Sequence, residues 1–300
     1  MATKTTSTKS GTAMFPANLV VDMFNSVVGH SALAKLSGAK PIPFAGETVF
    51  TFSMSGEVSI VGEGANKPAG DADFEPVTIR PIKMVYQHRV TDEFVRLSEE
   101  ARLPYLEAFA DGFAKKMARG LDIAAMHGLN PADLTDASFK ATNSFDGLIN
   151  NTVAYVAASV DDNIDAAIQL VTAGERVVNG IAMSPTAGSD LSKIKVNGVV
   201  QYPEYRFGQN PAAFYGMGSD VNATVSKKKS GAEHTDHVIV GDFAEAFRWG
   251  YAENIPLEVI EYGDPDGQGD LKRTNEVVLR SEAFIGWGIL DADSFAIVQA

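Results

Sequence analysis

Val277-Val278-Leu279-Arg280-Ser281-Glu282-Ala283-Phe284-Ile285-Gly286-Trp287-Gly288-Ile289-Leu290-Asp291-Ala292-Asp293-Ser294-Phe295-Ala296-Ile297-Val298 is the stretch on which the fold turns. Its β-branched and aromatic residues, with glycines only near Trp287, read as one long strand. Asp291-Ala-Asp-Ser-Phe-Ala then supplies Asx-type turn chemistry, and a short final strand follows. Immediately upstream, residues 261–275 form an acidic, Gly-rich loop. Further back, His237-Val238-Ile239-Val240 is a strand that stops at Gly241-Asp242-Phe243, with a helix-like segment and a strand after it.

Working toward the N-terminus, Val177 to Met183 is expected to be a strand. Ser184-Pro185-Thr186 then opens a helix ending near Lys195. Residues 196–218 are rich in Gly, Pro, Tyr and Asn. A helix is expected near Asp162 to Thr172, with Ile164, Ala167, Ile168 and Val171 on one face and Asp161 or Asp162 as its cap. A longer helix is predicted from Pro104 to about His127, because Leu106, Phe109, Phe113, Met117, Leu121 and Ala124 make one apolar stripe. Pro104 suits its first turn and His127-Gly128 its C-terminal cap. At 1.5 Å per residue it spans roughly 35 Å, enough to act as a strut. Phe109 and Phe113 are read as core.

Residues 46–90 read as β. Val49 to Met54 is one strand, and Val77 to Tyr86 is taken as the returning one. Between them, Val61 to Asp73 offers almost nothing apolar to bury. An isolated two-stranded ribbon is marginal in water, so this one needs its own domain or another subunit. Helical spacing recurs from Phe15 to Leu36, and the first dozen residues are Thr, Ser, Lys and Gly, expected to be extended or disordered when alone.

A chain of 300 residues suits one large or two modest domains. It contains no cysteine, which excludes disulfides and thiolate metal sites. No apolar run approaches the roughly 20 residues that span a bilayer, and the N-terminus lacks the apolar core of a secretory signal. The formal net charge of -13 argues against a broad nucleic-acid-binding surface. The first 40 residues run the other way, with Lys4, Lys9, Lys35 and Lys40 against Asp22 alone.

Catalytic chemistry finds little purchase. His234-Thr235-Asp236-His237 places two histidines three apart, but the segment follows a Lys227-Lys228-Lys229-Ser230-Gly231 loop and reads as solvated rather than as a metal site. Gly62-Glu63-Gly64-Ala65-Asn66-Lys67 lacks both the spacing and the following helix of a phosphate loop. No nucleophile elbow and no His-Glu-x-x-His motif occurs. Neither a cofactor nor a metal is expected.

The element order resembles that of tailed-bacteriophage major capsid proteins of the Hong Kong 97 type. The resemblance is carried by the 46–90 ribbon, the 104–128 helix, Ala182-Met183-Ser184-Pro185, Phe214-Tyr215-Gly216-Met217-Gly218, Val240-Gly241-Asp242-Phe243 and the C-terminal segment. It implies an α+β fold with an N-terminal arm at 1–40 and an extended β-hairpin loop at 41–83. A peripheral domain at 84–131 and 257–288 would have the long helix as spine, and an axial domain would take 132–256 and 289–300. It further implies self-assembly into pentamers and hexamers that form an icosahedral shell around double-stranded DNA. The expected location is the virion capsid, after assembly in the host bacterial cytoplasm. The expected partners are further copies of the chain, a portal protein, non-specifically contacted DNA and a separate scaffolding protein, since the arm starts almost at Met1. Some members join subunits by a Lys–Asn isopeptide bond promoted by a Glu. By that resemblance Lys67, Asn275 and Glu282 are the candidate trio, Glu282 acting as base. Two other classes stand beside this one, an encapsulin-like nanocompartment shell and a soluble enzyme with an unrecognised site.

Overall fold

The structure is a computed structural model, and it describes residues 30–55, 58–64, 66–67, 69–97, 99–252 and 257–300. The predicted helical pattern from Phe15 to Gly29 and the extended first dozen residues lie outside the described residues. What is described begins with a short helix, α1 (Ala32–Leu36). A ribbon follows, β1 (Glu47–Ser55) paired antiparallel with β2 (Asp71–Ile79) from Glu47↔Ile79 to Ser55↔Asp71. β3 (Ile82–Thr91) is a separate strand. The single returning strand expected from Val77 to Tyr86 is therefore broken in two. Arg80-Pro81 makes the break, because proline carries no N–H for a ladder.

α2 (Asp92–Arg96) leads into α3 (Glu99–His127). The long helix starts five residues before the predicted Pro104, which sits inside it rather than in its first turn. Its 29 residues reach about 43 Å. The predicted stripe is the buried face, and Phe113 and Leu121 are almost fully enclosed. Gly128 ends the helix at φ +60°, the left-handed cap that glycine adopts without strain.

Beyond it come α4 (Phe145–Leu148), β4 (Thr152–Ala154) and α5 (Val160–Thr172). Ser159, not Asp161 or Asp162, is the N-cap of α5, and the two aspartates sit in its first turn, where the helix dipole favours them. β5 (Gly180–Met183) is shorter than expected, and α6 (Pro185–Leu191) ends before Lys195. A small hairpin of β6 (Lys195–Val196) and β7 (Val199–Val200), then β8 (Ala213–Phe214) and β9 (Met217–Val221), fill the Gly- and Tyr-rich stretch. The chain finishes with β10 (Asp236–Gly241), β11 (Phe247–Tyr251), β12 (Leu257–Ile260), α7 (Leu271–Thr274), β13 (Glu276–Ile289) and β14 (Phe295–Gln299).

Two sheets organise these elements. β13 carries one: β3 runs along one edge, while β12 and β11 follow one another along the other. The second has the order β4-β14-β10-β5-β9-β8. Its central strands are covered on both faces, which explains why β10 and β14 read as unbroken apolar runs. On one face Val238, Val240, Ile181, Met183, Ala296 and Val298 meet α5 and α6. On the other, Ile239, Ala182, Phe295 and Ile297 join the core of α3 and β13. Among the described residues no helix is long and apolar enough to cross a membrane.

Candidate functional site: the ribbon and the end of the long strand

The period-2 pattern divides the β1/β2 ribbon into two faces. Val49, Val77 and Ile79 face inward: the two valines are half-buried and Ile79 is fully buried. They dock on β13 because Gly286 and Gly288 bear no side chains there. A Cβ on Gly288 would lie 2.7 Å from Ile79 Cγ1. Trp287, between the glycines, points the opposite way into the core and donates its Nε1–H to the Asn143 carbonyl at 3.0 Å. The Gly-Trp-Gly sequence thus seats the ribbon on one face and fills the core on the other.

The outward face is aromatic. Phe50, Phe52 and Phe74 are 66%, 53% and 67% exposed. Phe52 and Phe74 are cross-strand partners with ring centroids 4.9 Å apart. Val58 and Ile60, beyond the end of β1, are exposed too. So much exposed aromatic surface on a two-stranded ribbon marks an interaction surface rather than scattered surface hydrophobics.

At the other end of β13 the acidic loop is fixed by Arg89 of β3. Its guanidinium clasps Asp266 with two donors, reaches Glu276 at 2.9 Å through Nη1, and donates to the Gly269 carbonyl at 2.8 Å. Gln87 adds a hydrogen bond from Nε2 to the Pro265 carbonyl at 3.2 Å and accepts one from Arg280 Nε at 2.8 Å. The Arg89 contact holds the Asp266 carboxyl down at about 2. Asp270 caps α7 by accepting from Lys272 N–H, and α7 ends on Asn275 in the left-handed conformation, φ +54°.

The three predicted cross-link residues do not meet within one chain. Lys67 is exposed in the turn of the ribbon, and Asn275 is exposed at the end of α7. Glu282 lies mid-strand and forms an ion pair with Lys83 at 2.7 Å. Six residues of β13 separate Glu276 from Glu282, about 20 Å along the strand. Lys227 and Lys228 form no ion pair among the described residues, while Lys229 pairs with Asp136.

One polar constellation escaped the sequence. Buried His127 and Asp236 converge with the more exposed Asp146, their ligand atoms within 4.8 Å of one another. Burial works against an imidazolium there, yet the two carboxylates outweigh it and raise the His127 pKa to about 10. In the sequence His127 reads only as a helix end and Asp236 only as part of a solvated loop. Residues 19 and 109 positions from the histidine leave no local spacing signal. His237, by contrast, stacks on Tyr155 at 3.9 Å and contacts Ser184, as a packed strand residue does.

A mixed α+β subunit with a long helix, a two-stranded ribbon and a long C-terminal strand has the Hong-Kong-97-like capsid fold. The model of the phage capsid family matches residues 11–300, and the chain belongs to that family. No curated protein sequence matches it. Among solved structures, a chain from Mycobacterium phage Ogopogo is 33% identical, with 90% of this chain and 92% of that chain covered and a TM-score of 0.79. A Gordonia phage Cozz chain is 25% identical over 90% and 86% of the two chains, with a TM-score of 0.73. A structure titled as the capsid of a native GTA particle computed with C5 symmetry shares the fold at 14% identity and a TM-score of 0.61, with 89% of each chain covered. The protein is a phage major capsid protein, a non-enzymatic structural subunit of the icosahedral shell of a virion. Chains of this kind assemble with copies of themselves in capsomers. The nanocompartment and enzyme readings give way to this one.

Proposed function

We propose that the aromatic face of the ribbon is the principal contact between neighbouring subunits, and that pentamers and hexamers of this chain close the shell through it. The observation that carries the proposal is the exposure of Phe50, Phe52 and Phe74 opposite a face that is seated on the subunit's own core. Burying three such rings removes several hundred Å² of apolar surface from water. In this reading residues 1–40 are the arm and 41–83 the extended loop. Residues 84–131 and 257–288 make the peripheral domain, and 132–256 with 289–300 the axial domain meeting its copies at the symmetry axes. A separate scaffolding protein guides assembly, a portal protein occupies one vertex, and DNA is contacted without sequence preference. The test is a double substitution, Phe52→Ser with Phe74→Ser. Thermal stability of the unassembled subunit should be unchanged, while shells seen by electron microscopy and sedimentation should be lost. Normal shells from the double variant contradict the proposal.

We further propose a covalent joint on this contact. The Lys67 amine, once neutral, adds to the Asn275 side-chain carbonyl. A C–N bond forms, the C–N bond to the amide nitrogen breaks, and ammonia leaves. Glu282 takes the amine's proton and passes it to the leaving nitrogen. Because Asn275 precedes the first residue of β13 and Glu282 lies about 20 Å further along that strand, the two come from different copies, with Glu282 released from Lys83. Free subunits are then inert, since assembly alone supplies the geometry. Denaturing gels of mature particles should show a ladder of multimers that disappears in Lys67→Ala and in Asn275→Asp. A single band near 32 kDa from expanded wild-type particles rejects the joint and leaves the ribbon contact standing.

A further inference from the structure

We infer that His127, Asp146 and Asp236 form a binding site for a divalent cation of the zinc class. The site sits where the end of α3, the start of α4 and the start of β10 meet.

The argument begins with the tautomer. His127 Nε2 lies 2.9 Å from the Thr224 carbonyl oxygen. A carbonyl has no proton to give, so Nε2 carries the hydrogen and donates it. That bond fixes the ring plane and turns Nδ1 toward the two carboxylates, the orientation a backbone carbonyl gives a metal-ligating histidine. Nδ1 is 3.1 Å from Asp146 Oδ2 and 3.3 Å from Asp236 Oδ2. A single Nδ1 proton serves Asp146, and Asp236 Oδ2 is left without a hydrogen-bond donor although its residue is only 6% exposed. The His127 imidazolium stands 3.3 Å away but gives its Nδ1 proton to Asp146, so this buried oxygen keeps an acceptor position open toward the cluster.

The separations fit a cation. Nitrogen and oxygen ligands at about 2.1 Å from a metal stand roughly 3.0 Å apart in an octahedral arrangement and roughly 3.4 Å apart in a tetrahedral one. The two nitrogen–oxygen edges of 3.1 and 3.3 Å fall between these limits. One imidazole with two carboxylates suits zinc, cobalt or manganese rather than a soft thiophilic ion. The Asp146 side chain is 27% exposed and gives a path for entry and room for a water as further ligand. Binding replaces the Nδ1 proton, which is released to solvent, and offsets the two carboxylate charges. A cation there clamps the spine helix to the second sheet across segments distant in sequence.

The experiment uses full-length subunits stripped with chelator, then dialysed against zinc chloride and, separately, cobalt chloride. Metal content, the cobalt d–d absorption and the melting temperature are read for the wild type, Asp146→Asn, His127→Gln and His234→Gln. The expected result is about one zinc per chain, a rise in melting temperature with zinc, and at least tenfold weaker binding in Asp146→Asn. His234→Gln, a change in the 230–235 loop, should bind as the wild type does. Asp146→Asn alters a partly exposed side chain and keeps the test valid if His127→Gln fails to fold. Wild type that takes up no metal, or that loses it in His234→Gln but not in Asp146→Asn, overturns the inference and leaves a buried ion pair.

Discussion

Asp122 joins the start of the described chain to the last two turns of the long helix. It is wholly buried, and each of its oxygens accepts two hydrogen bonds: Oδ1 from Ser31 Oγ–H and Leu33 N–H, Oδ2 from Ala32 N–H and Thr224 Oγ1–H. A carboxylate thereby supplies the acceptors that the first turn of α1 lacks. Asp122→Asn turns one acceptor into a donor facing donors and should cost about 2–3 kcal/mol in urea unfolding of the unassembled subunit. Burial pushes the Asp122 carboxyl up to about 6 against those four bonds. A raised carboxyl pKa in the folded state means that this group's contribution is complete below the unfolded value of about 3.9. It is lost as pH rises through about 6. The stability gap between the wild type and Asp122→Asn should therefore shrink from pH 4.5 to pH 7.5. A pH-independent gap contradicts that assignment. None of this was legible in the sequence, where Asp122 is one acid on a helix and its partners lie about 90 positions before and 102 after it. Gly288 was visible as a glycine in a strand, a sign of close approach. What approaches, Ile79 of the ribbon, was not. Gly288→Ala should destabilise the subunit by about 1–3 kcal/mol through overpacking against a fully buried neighbour.

Among the elements, those with strong periodicity were legible and those set by single interruptions were not. The stripe from Leu106 to Ala124 identified the buried face of α3 without error, because side-chain spacing alone decides it. Its start differs from the expectation: Pro104 has the composition of a first-turn residue, yet helical structure extends back to Glu99. The ribbon was legible as β, yet β2 and β3 were fused, since Val77 to Tyr86 has strand composition throughout and only Pro81 marks the division between two sheets. The acidic loop before β13 was recognised by its composition. Its anchor, Arg89, comes from a strand about 180 positions away. Arg89→Ala removes its contacts to Asp266, Glu276 and Gly269 at once. Hydrogen exchange of amides in residues 263–270 should rise markedly while the amides of α3 keep their protection. Unchanged exchange in the loop would show that its backbone turns suffice to hold it.

At the scale of the molecule, the order of elements carried the family, and the family carries the shell. The fold was legible because a strand, a Gly-Asp-Phe stop, an acidic loop, a long strand and an Asp-rich turn follow one another in a fixed sequence. The assembly surface was only half legible. The ribbon's inability to stand alone was inferred from its polar turn, whereas the exposed aromatic face appears only when the pairing register sets Phe52 opposite Phe74. A subunit built in this way keeps its core to itself and offers the ribbon outward. Cryo-electron microscopy of assembled particles tests that most directly. The account predicts closed icosahedral shells in which Phe50, Phe52 and Phe74 of each subunit are covered by a neighbouring copy. Shells that leave those three rings in solvent, or cover them only with residues of their own subunit, would contradict it.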